Sequence, residues 1–150
     1  MKTISCLLVV IGMFLSRVNA GAVHSASIDP RVLKAFSLAF PSATNAKWYE
    51  DANGYTVAFS SPQISGVAIY NKEGELVKVR RSYSKELLAL PIQISVKKNY
   101  PDKLISGITE VTTEDGIIYE ITLKDQDHWY KLLSDDHGRL EMVQKFRRAE

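Results

Sequence analysis

The chain has 150 residues, of which 45% are hydrophobic and 24% are charged, and this length suits a single domain with its own core. Its 19 lysines and arginines stand against 17 aspartates and glutamates, so it lacks the basic excess that is typical of nucleic-acid-binding proteins. This charge balance predicts no nucleic-acid partner. The one cysteine, Cys6, excludes a disulfide framework.

The first twenty residues have the three-part pattern of a secretory signal peptide. Lys2 supplies a positive charge, Leu7 to Leu15 form an almost unbroken apolar run, and Val18-Asn19-Ala20 offers small residues for cleavage. The apolar run is shorter than the roughly 20 residues that a membrane-spanning helix needs. We expect cleavage after Ala20 or Ala22, export to the periplasm or the cell exterior, and no membrane insertion after cleavage.

The rest of the chain is predicted to consist of a short leader and one domain. Residues 21–28 are small and polar and are predicted to be a flexible leader, and residues 29–150 are predicted to be a single domain. Loss of Lys2 and Arg17 with the signal would leave equal numbers of basic and acidic side chains.

A helix is predicted directly after the leader. Asp29 can accept hydrogen bonds from free backbone N–H groups, and Pro30 suits the first helical position. Pro41 ends the helix, because the residue before a proline is disfavoured in the α region. Apolar residues recur at helical spacing in Val32, Leu33, Phe36 and Phe40.

Four strands are predicted to follow, joined by tight turns. The second strand alternates apolar and small polar residues, the period of a strand with one buried face. Asn53-Gly54 predicts a hairpin turn, and Gly74 can adopt positive φ in a later one. The predicted strands are Ala46 to Glu50, Gly54 to Ser60, Ile64 to Tyr70 and Leu76 to Ser82.

The same order of elements then recurs. A second helix is predicted from Pro91 to Pro101, and Asp115-Gly116 and Gly138 mark later turns. The predicted strands are Ile105 to Thr113, Ile117 to Lys124, His128 to Ser134 and Leu140 to Phe146.

Matching residues in the two halves predict a tandem repeat. Phe40-Pro41 and Tyr100-Pro101 are 60 residues apart, whereas Gly74 and Gly138 are 64 apart. We therefore predict an α+β fold of two tandem helix-plus-antiparallel-strand repeats, residues 29–83 and 90–147. Together they would form one sheet of about eight strands with the helices on one face.

These motifs resemble those of the PepSY-like proteins, exported bacterial envelope proteins that are also described as β-lactamase-inhibitor-like. The likeness includes the helices that end in Phe40-Pro41 and Tyr100-Pro101, the Lys47-Trp48 strand, the two hairpins followed by tyrosine, and the Gly-x-Leu turns. It extends from about Val32 to Phe146. The resemblance implies a tandem helix-plus-sheet fold in the periplasm or outside the cell, without catalytic residues. No motif marks a protruding inhibitory loop.

The sheet face away from the helices is the candidate binding surface. Alternation places Tyr55 and Val57 inward, so their neighbours face outward, and Tyr70 faces outward if Val67 and Ile69 point in. One of the adjacent Trp129 and Tyr130 is expected to face outward, and the pattern does not decide which. The candidate protein-binding residues are Lys47, Tyr49, Thr56, Tyr70, Lys78, Arg80 and Tyr130.

Two turns carry carboxylates and histidines, which are possible metal ligands. They contain Asp125, Asp127 and His128, and Asp135, Asp136 and His137. The strand between them would separate the turns by roughly 23 Å at about 3.3 Å per residue, so each turn would have to bind a metal alone. We expect ordinary solvated turns and no metal site.

Catalytic motifs are absent from the sequence after the signal. It has no cysteine, no serine in a strand-turn-helix elbow and no phosphate-binding glycine loop. We therefore expect no enzymatic activity and no cofactor.

The sequence predicts a non-catalytic exported binding module of the bacterial envelope, inhibitor-like towards a periplasmic or secreted enzyme, with an envelope protein such as a peptidase as its partner. The alternatives are a small-ligand or metal-ion sensor that uses the turn carboxylates and histidines, and a self-associating envelope scaffold. The oligomeric state stays open.

Overall fold

The computed structural model describes residues 22–23 and 27–148, and the predicted signal peptide therefore lies outside the described residues. The helices are α1 (Pro30–Ala39) and α2 (Leu90–Asn99), with a short 3-10 helix at Lys85–Leu87. The strands are β1 (Ala22–Val23), β2 (Thr44–Glu50), β3 (Gly54–Ser60), β4 (Ile64–Asn71), β5 (Leu76–Tyr83), β6 (Leu104–Thr113), β7 (Gly116–Lys124), β8 (His128–Ser134) and β9 (Leu140–Arg147).

The eight long strands β2 to β9 form one open antiparallel sheet in chain order, and the two-residue β1 pairs with its first edge. The connection between β5 and β6 contains the 3-10 helix and α2. The predicted α+β class with a single antiparallel sheet is thus confirmed.

Each helix begins and ends as its prolines predict. The Asp29 side chain accepts a 2.8 Å hydrogen bond from the backbone N–H of Arg31, which caps α1, whereas Ala89 at the equivalent place in α2 makes no side-chain cap. Both helices have proline in their first turn and end on an aromatic residue, Phe40 or Tyr100, of similar backbone conformation.

Two hydrophobic clusters lie side by side beneath the helices. In the first, the Phe36 ring of α1 lies edge-on to Trp48 and Phe59, with centroids 5.2 and 5.4 Å apart. In the second, Ile92 and Val96 of α2 belong to a cluster of buried residues from β6, β7 and β8.

Both helices cover the same face of the sheet, as the pairing of the central strands β5 and β6 shows. Val79, in the first cluster, pairs with Thr112, which alternates in phase with Ile108 of the second cluster. The opposite face is uncovered by any element of the described chain.

Part of the predicted flexible leader is ordered against the domain. Ala22 and Val23 pair with Tyr49 and Trp48 of β2, and Ile28 is buried in the first cluster. The leader is therefore not a free segment in the residues that the structure describes.

Neither α1 nor α2 nor any other described helix is long and apolar enough to cross a membrane.

Candidate functional site

The uncovered side of the sheet, called the open face below, is built by alternation along the strands, which a register irregularity interrupts in four of the strand pairs. Each row of cross-strand partners places side chains next to one another across several strands. One such row runs from β2 to β7 and consists of Lys47, Ala58, Val67, Arg80, Val111 and Ile118.

Five of the seven sequence-predicted candidates lie on the open face. Lys47 and Tyr49 project from β2, Thr56 from β3, and Lys78 and Arg80 from β5, each in the phase opposite to the buried core residues. They form a single region because β2 to β5 are consecutive in the sheet. Their role in binding stays a prediction.

Tyr70 was predicted to face outward, and this prediction is wrong. Its side chain is 1% exposed in the first core, where its ring lies 6.5 Å from that of Trp48. Val67 and Ile69 take the open face instead, since Ile69 pairs with Thr56 and Lys78. Both faces of β4 carry apolar side chains, so alternation in the sequence does not show which face points to the core.

Tyr130 is likewise a core residue, with 5% exposure, and its assignment to the open face is wrong. Trp129 is the outward member of the pair. Lys124 Nζ lies 5.6 Å from the centre of its ring and the Arg148 guanidinium carbon lies 5.8 Å away. Phe146 is its cross-strand partner on β9.

Several open-face residues, most of them apolar, are missing from the candidates predicted from the sequence. Ile69, Ile118 and Phe146 are 37%, 51% and 45% exposed. Their signal in the sequence is an apolar residue in the polar phase of a strand, as with Ile118 between Ile117 and the buried Tyr119.

One ion pair bridges the middle of the open face. Arg80 on β5 lies 3.5 Å from Glu120 on β7, and both side chains are about half exposed. A pair this exposed contributes little to stability, roughly 0–1 kcal/mol, and leaves both groups accessible. Beside it lies a shallow concavity of about 320 Å³, lined by Arg80, Thr109, Glu120, Thr122, Lys131 and Leu133 among others.

The carboxylates of the two turns mainly hold the turns together. Asp125 Oδ1 accepts from the backbone N–H groups of Asp127 and His128, at 3.0 and 2.8 Å. Its Oδ2 accepts from the Tyr130 hydroxyl, which is the main reason why the pKa of Asp125 lies far below its ordinary value. Lys103, 3.1 Å from Oδ2, acts in the same direction.

The second turn brings together the potential ligand atoms of Asp135, Asp136 and His137 within 4.8 Å of one another. Asp135 also accepts hydrogen bonds from the backbone N–H groups of His137 and Arg139, and its Oδ2 pairs with the Arg139 side chain. These contacts lower the pKa of Asp135, with the backbone N–H of Arg139 as the largest cause. Its contacts are those of a turn-stabilising carboxylate.

A partly buried carboxylate, Glu110, lies on the covered face at the seam between β5 and β6. It accepts hydrogen bonds from Tyr83 at 2.9 Å and from Arg81 at 3.1 Å, with Thr112 farther off at 3.4 Å. Burial and this carboxylate together raise the pKa of Tyr83. Both oxygens of Glu110 are thus occupied by donors of its own sheet.

The described fold is similar to several solved structures from Bacteroides. A BLIP-like protein from Bacteroides fragilis has a TM-score of 0.61 at 10% identity, over 80% of this chain and 86% of that one. A DUF2874 family protein from Bacteroides ovatus gives 0.60 at 17% identity, over 81% and 88%. A protein from Bacteroides eggerthii whose periplasmic location is inferred gives 0.59 at 15%, over 80% and 88%.

No protein-family model and no curated protein matches the chain. At such low identities the structural likeness establishes the BLIP-like fold and leaves function open. It agrees with the β-lactamase-inhibitor-like part of the resemblance, and the PepSY-like assignment itself stays a prediction.

Proposed function

We propose that this protein is a non-catalytic module of the bacterial envelope that binds a protein partner through its open face. The observation that carries the proposal is the asymmetry of the sheet. Both helices pack on one face, whereas the opposite face presents apolar and basic side chains on successive strands. Exposed apolar residues grouped on one surface are typical of interaction sites.

The composition of the open face suits protein recognition. Aromatic and arginine side chains are enriched in the centres of protein interfaces, and these centres are more apolar than the rest of the surface. Tyr49 and Ile69 lie in one row of cross-strand partners on β2 to β5, and Arg80 and Ile118 lie in the neighbouring row, which reaches β7. A partner that covers these strands would bury the apolar side chains and Arg80 and keep the lysines at its rim.

The cellular location belongs to the same proposal. The signal-peptide pattern of residues 1–20 supports export, and the likeness to a Bacteroides protein of inferred periplasmic location supports the periplasm over the cell exterior. The partner class that we propose is an envelope enzyme such as a peptidase. We also assign the two halves to a tandem repeat, supported by the equal lengths and matching ends of α1 and α2.

Self-association through the free edge of the sheet is the less favoured structural alternative. β9 ends the strand order, but its pairing with β8 is interrupted by an irregularity opposite Lys131 and Leu132. Lys145 points to the covered side, 5.5 Å from the Tyr130 ring. An irregular edge strand with an inward lysine is a common protection against edge-to-edge pairing.

Affinity capture from the envelope fraction of the native bacterium tests the proposal. Ile69→Ser with Ile118→Ser should abolish capture of the partner, because both serines replace apolar contacts on the open face. The matched control is Leu38→Ser with Ile94→Ser, which changes exposed apolar residues on α1 and α2. Loss of capture by the helix variant, and retention by the open-face variant, would contradict the proposal.

A further inference from the structure

We propose that the segment recognised by the open face is an acidic peptide segment of the partner protein, bound by a basic patch of Lys47, Lys78 and Arg80. This inference rests on the proposed function, because it specifies the chemistry of the same surface.

The three cations surround an apolar floor. Lys47 pairs with Ala58, Ala58 with Val67, and Val67 with Arg80, so two cations stand at the ends of an apolar row. Four neighbouring strands place the ends of that row roughly 14 Å apart, from a spacing of about 4.8 Å. Lys78 stands two residues before Arg80.

The floor continues in the next row. Lys78 pairs with Ile69, Ile69 with Thr56 and Thr56 with Tyr49, so an aliphatic and an aromatic side chain lie beside the third cation. Ile69 is more than a third exposed. The patch therefore combines charge with an accessible apolar surface.

The positive charge of the patch is largely unneutralised. Among the described residues, Lys47 and Lys78 form no ion pair, and the long Arg80–Glu120 contact of 3.5 Å is exposed at both ends. No acidic side chain of the described chain lies in the open-face rows of β2 to β5. Charges grouped in this way on a nearly neutral protein attract and orient a partner of opposite sign.

A peptide fits the patch better than a nucleic acid or an anionic polysaccharide does. Polyanions gain their affinity from cations and make little use of an aliphatic floor. A peptide that carries both carboxylates and apolar side chains can neutralise the cations and cover Val67 and Ile69 at once. The mixture of charged and apolar groups thus favours an acidic, partly apolar segment.

Selection from a displayed library of random twelve-residue peptides tests the inference with a defined probe. We expect the protein after signal removal to enrich peptides rich in aspartate and glutamate that also carry an apolar residue. Synthetic copies should bind at least tenfold more weakly to Lys47→Glu with Lys78→Glu. Their binding should also weaken as salt is raised from 50 to 500 mM.

The matched control is Lys34→Glu with Lys98→Glu, which makes the same change in net charge on exposed lysines of α1 and α2. The control variant should bind the peptides like the unchanged protein. Equal loss in both variants would mean that only the total charge matters and would overturn the inference.

The outcomes separate the inference from the function beneath it. Peptides without acidic enrichment whose binding is lost with Ile69→Ser and Ile118→Ser would overturn the acidic patch and leave the open face as the binding surface. Peptides unaffected by any open-face variant would overturn both. If heparin binds more tightly than the peptides and its binding depends on Lys47 and Lys78 in the same way, the patch binds polyanions. This result would overturn the proposal of a peptide ligand.

Discussion

The hydroxyl of Tyr130 donates a 2.6 Å hydrogen bond to Oδ2 of Asp125, the carboxylate at the start of the β7–β8 turn. The contact joins a residue of the second core to a residue that the sequence offered as a metal ligand. It fixes the tyrosine inside the protein and the carboxylate in the turn. Both residues thereby have a structural role that the pattern of acids, histidines and aromatics did not reveal.

Asp125→Asn should reduce stability at neutral pH and have less effect in acid. The folded pKa of Asp125 is lowered from its ordinary value of 3.8, chiefly by Tyr130, so its charged form stabilises the folded state. This contribution is complete above the unfolded pKa and disappears as the pH falls from about 4 towards the folded pKa. Urea unfolding of both proteins at pH 7, 5, 4 and 2.5 measures the difference.

Tyr130→Phe provides the companion variant. Loss of the phenolic donor should raise the pKa of Asp125 towards its ordinary value, which NMR titration of the carboxyl carbon detects. An unchanged pKa in Tyr130→Phe, or a destabilisation by Asp125→Asn that is equal at every pH, would contradict this account.

Tyr70→Phe should be neutral or should raise the free energy of unfolding by about 1 kcal/mol, because the buried hydroxyl has no hydrogen-bond partner among the described residues. Tyr70→Ala should lose roughly 3–5 kcal/mol by leaving a cavity beside Trp48. Chemical denaturation measures both. A surface tyrosine would lose little on replacement by alanine, so a small loss in Tyr70→Ala would contradict the burial of Tyr70.

Tyr70 should also make the protein sensitive to alkali. Burial raises its pKa from 10 to about 12, so the folded state retains the phenolic proton that the unfolded chain loses. The stabilisation of the folded state by this neutral phenol is complete below pH 10 and is lost as the pH rises to about 12. The stability of Tyr70→Phe should therefore fall less steeply between pH 9 and 11.5, and parallel curves would contradict the prediction.

Gly138→Ala should destabilise the protein more than Gly74→Ala. Gly138 in the β8–β9 turn and Gly74 in the β4–β5 turn have similar positive φ, 80° and 88°, so the backbone strain of an alanine is alike at both, roughly 1 kcal/mol. A methyl group at Gly138 would lie 2.8 Å from the Pro91 carbonyl oxygen, whereas at Gly74 nothing is closer than 3.4 Å. We expect an additional 1–3 kcal/mol or so at Gly138.

Thermal unfolding of the two glycine variants compares them directly. Because the additional cost comes from the first turn of α2, Gly138→Ala should also accelerate amide exchange in that helix. Equal losses of stability would show that strain alone determines both effects.

Local signals were sufficient for most of the fold. Prolines predicted both ends of α1, and two hairpins were predicted from Asn53-Gly54 and Asp115-Gly116. Each of these residues constrains the backbone by its own chemistry. The edge strand β1 gave no signal, since two residues carry neither period nor turn. It forms because β2 offers it a pairing edge.

It was harder to predict which face of a strand points to the core when both of its faces carry apolar residues. In β4, Gly66 faces the core beneath the Phe59 ring, and a methyl group there would meet that ring at 2.4 Å. This contact across the β3–β4 hairpin helps to fix Ala68 and Tyr70 inside, although the pattern of β4 alone permits either phase. The same ambiguity affected Trp129 and Tyr130, whereas Lys78 and Arg80 were placed correctly because their neighbour Val79 is the buried residue.

Hydroxyl-radical footprinting of the protein with and without its captured partner tests the central claim most directly, because it reads the burial of individual side chains. We predict that bound partner protects Tyr49, Ile69 and Ile118 on the open face and leaves Leu38 and Ile94 on the helices as reactive as before. Protection of Leu38 and Ile94 with an unchanged open face would contradict the account.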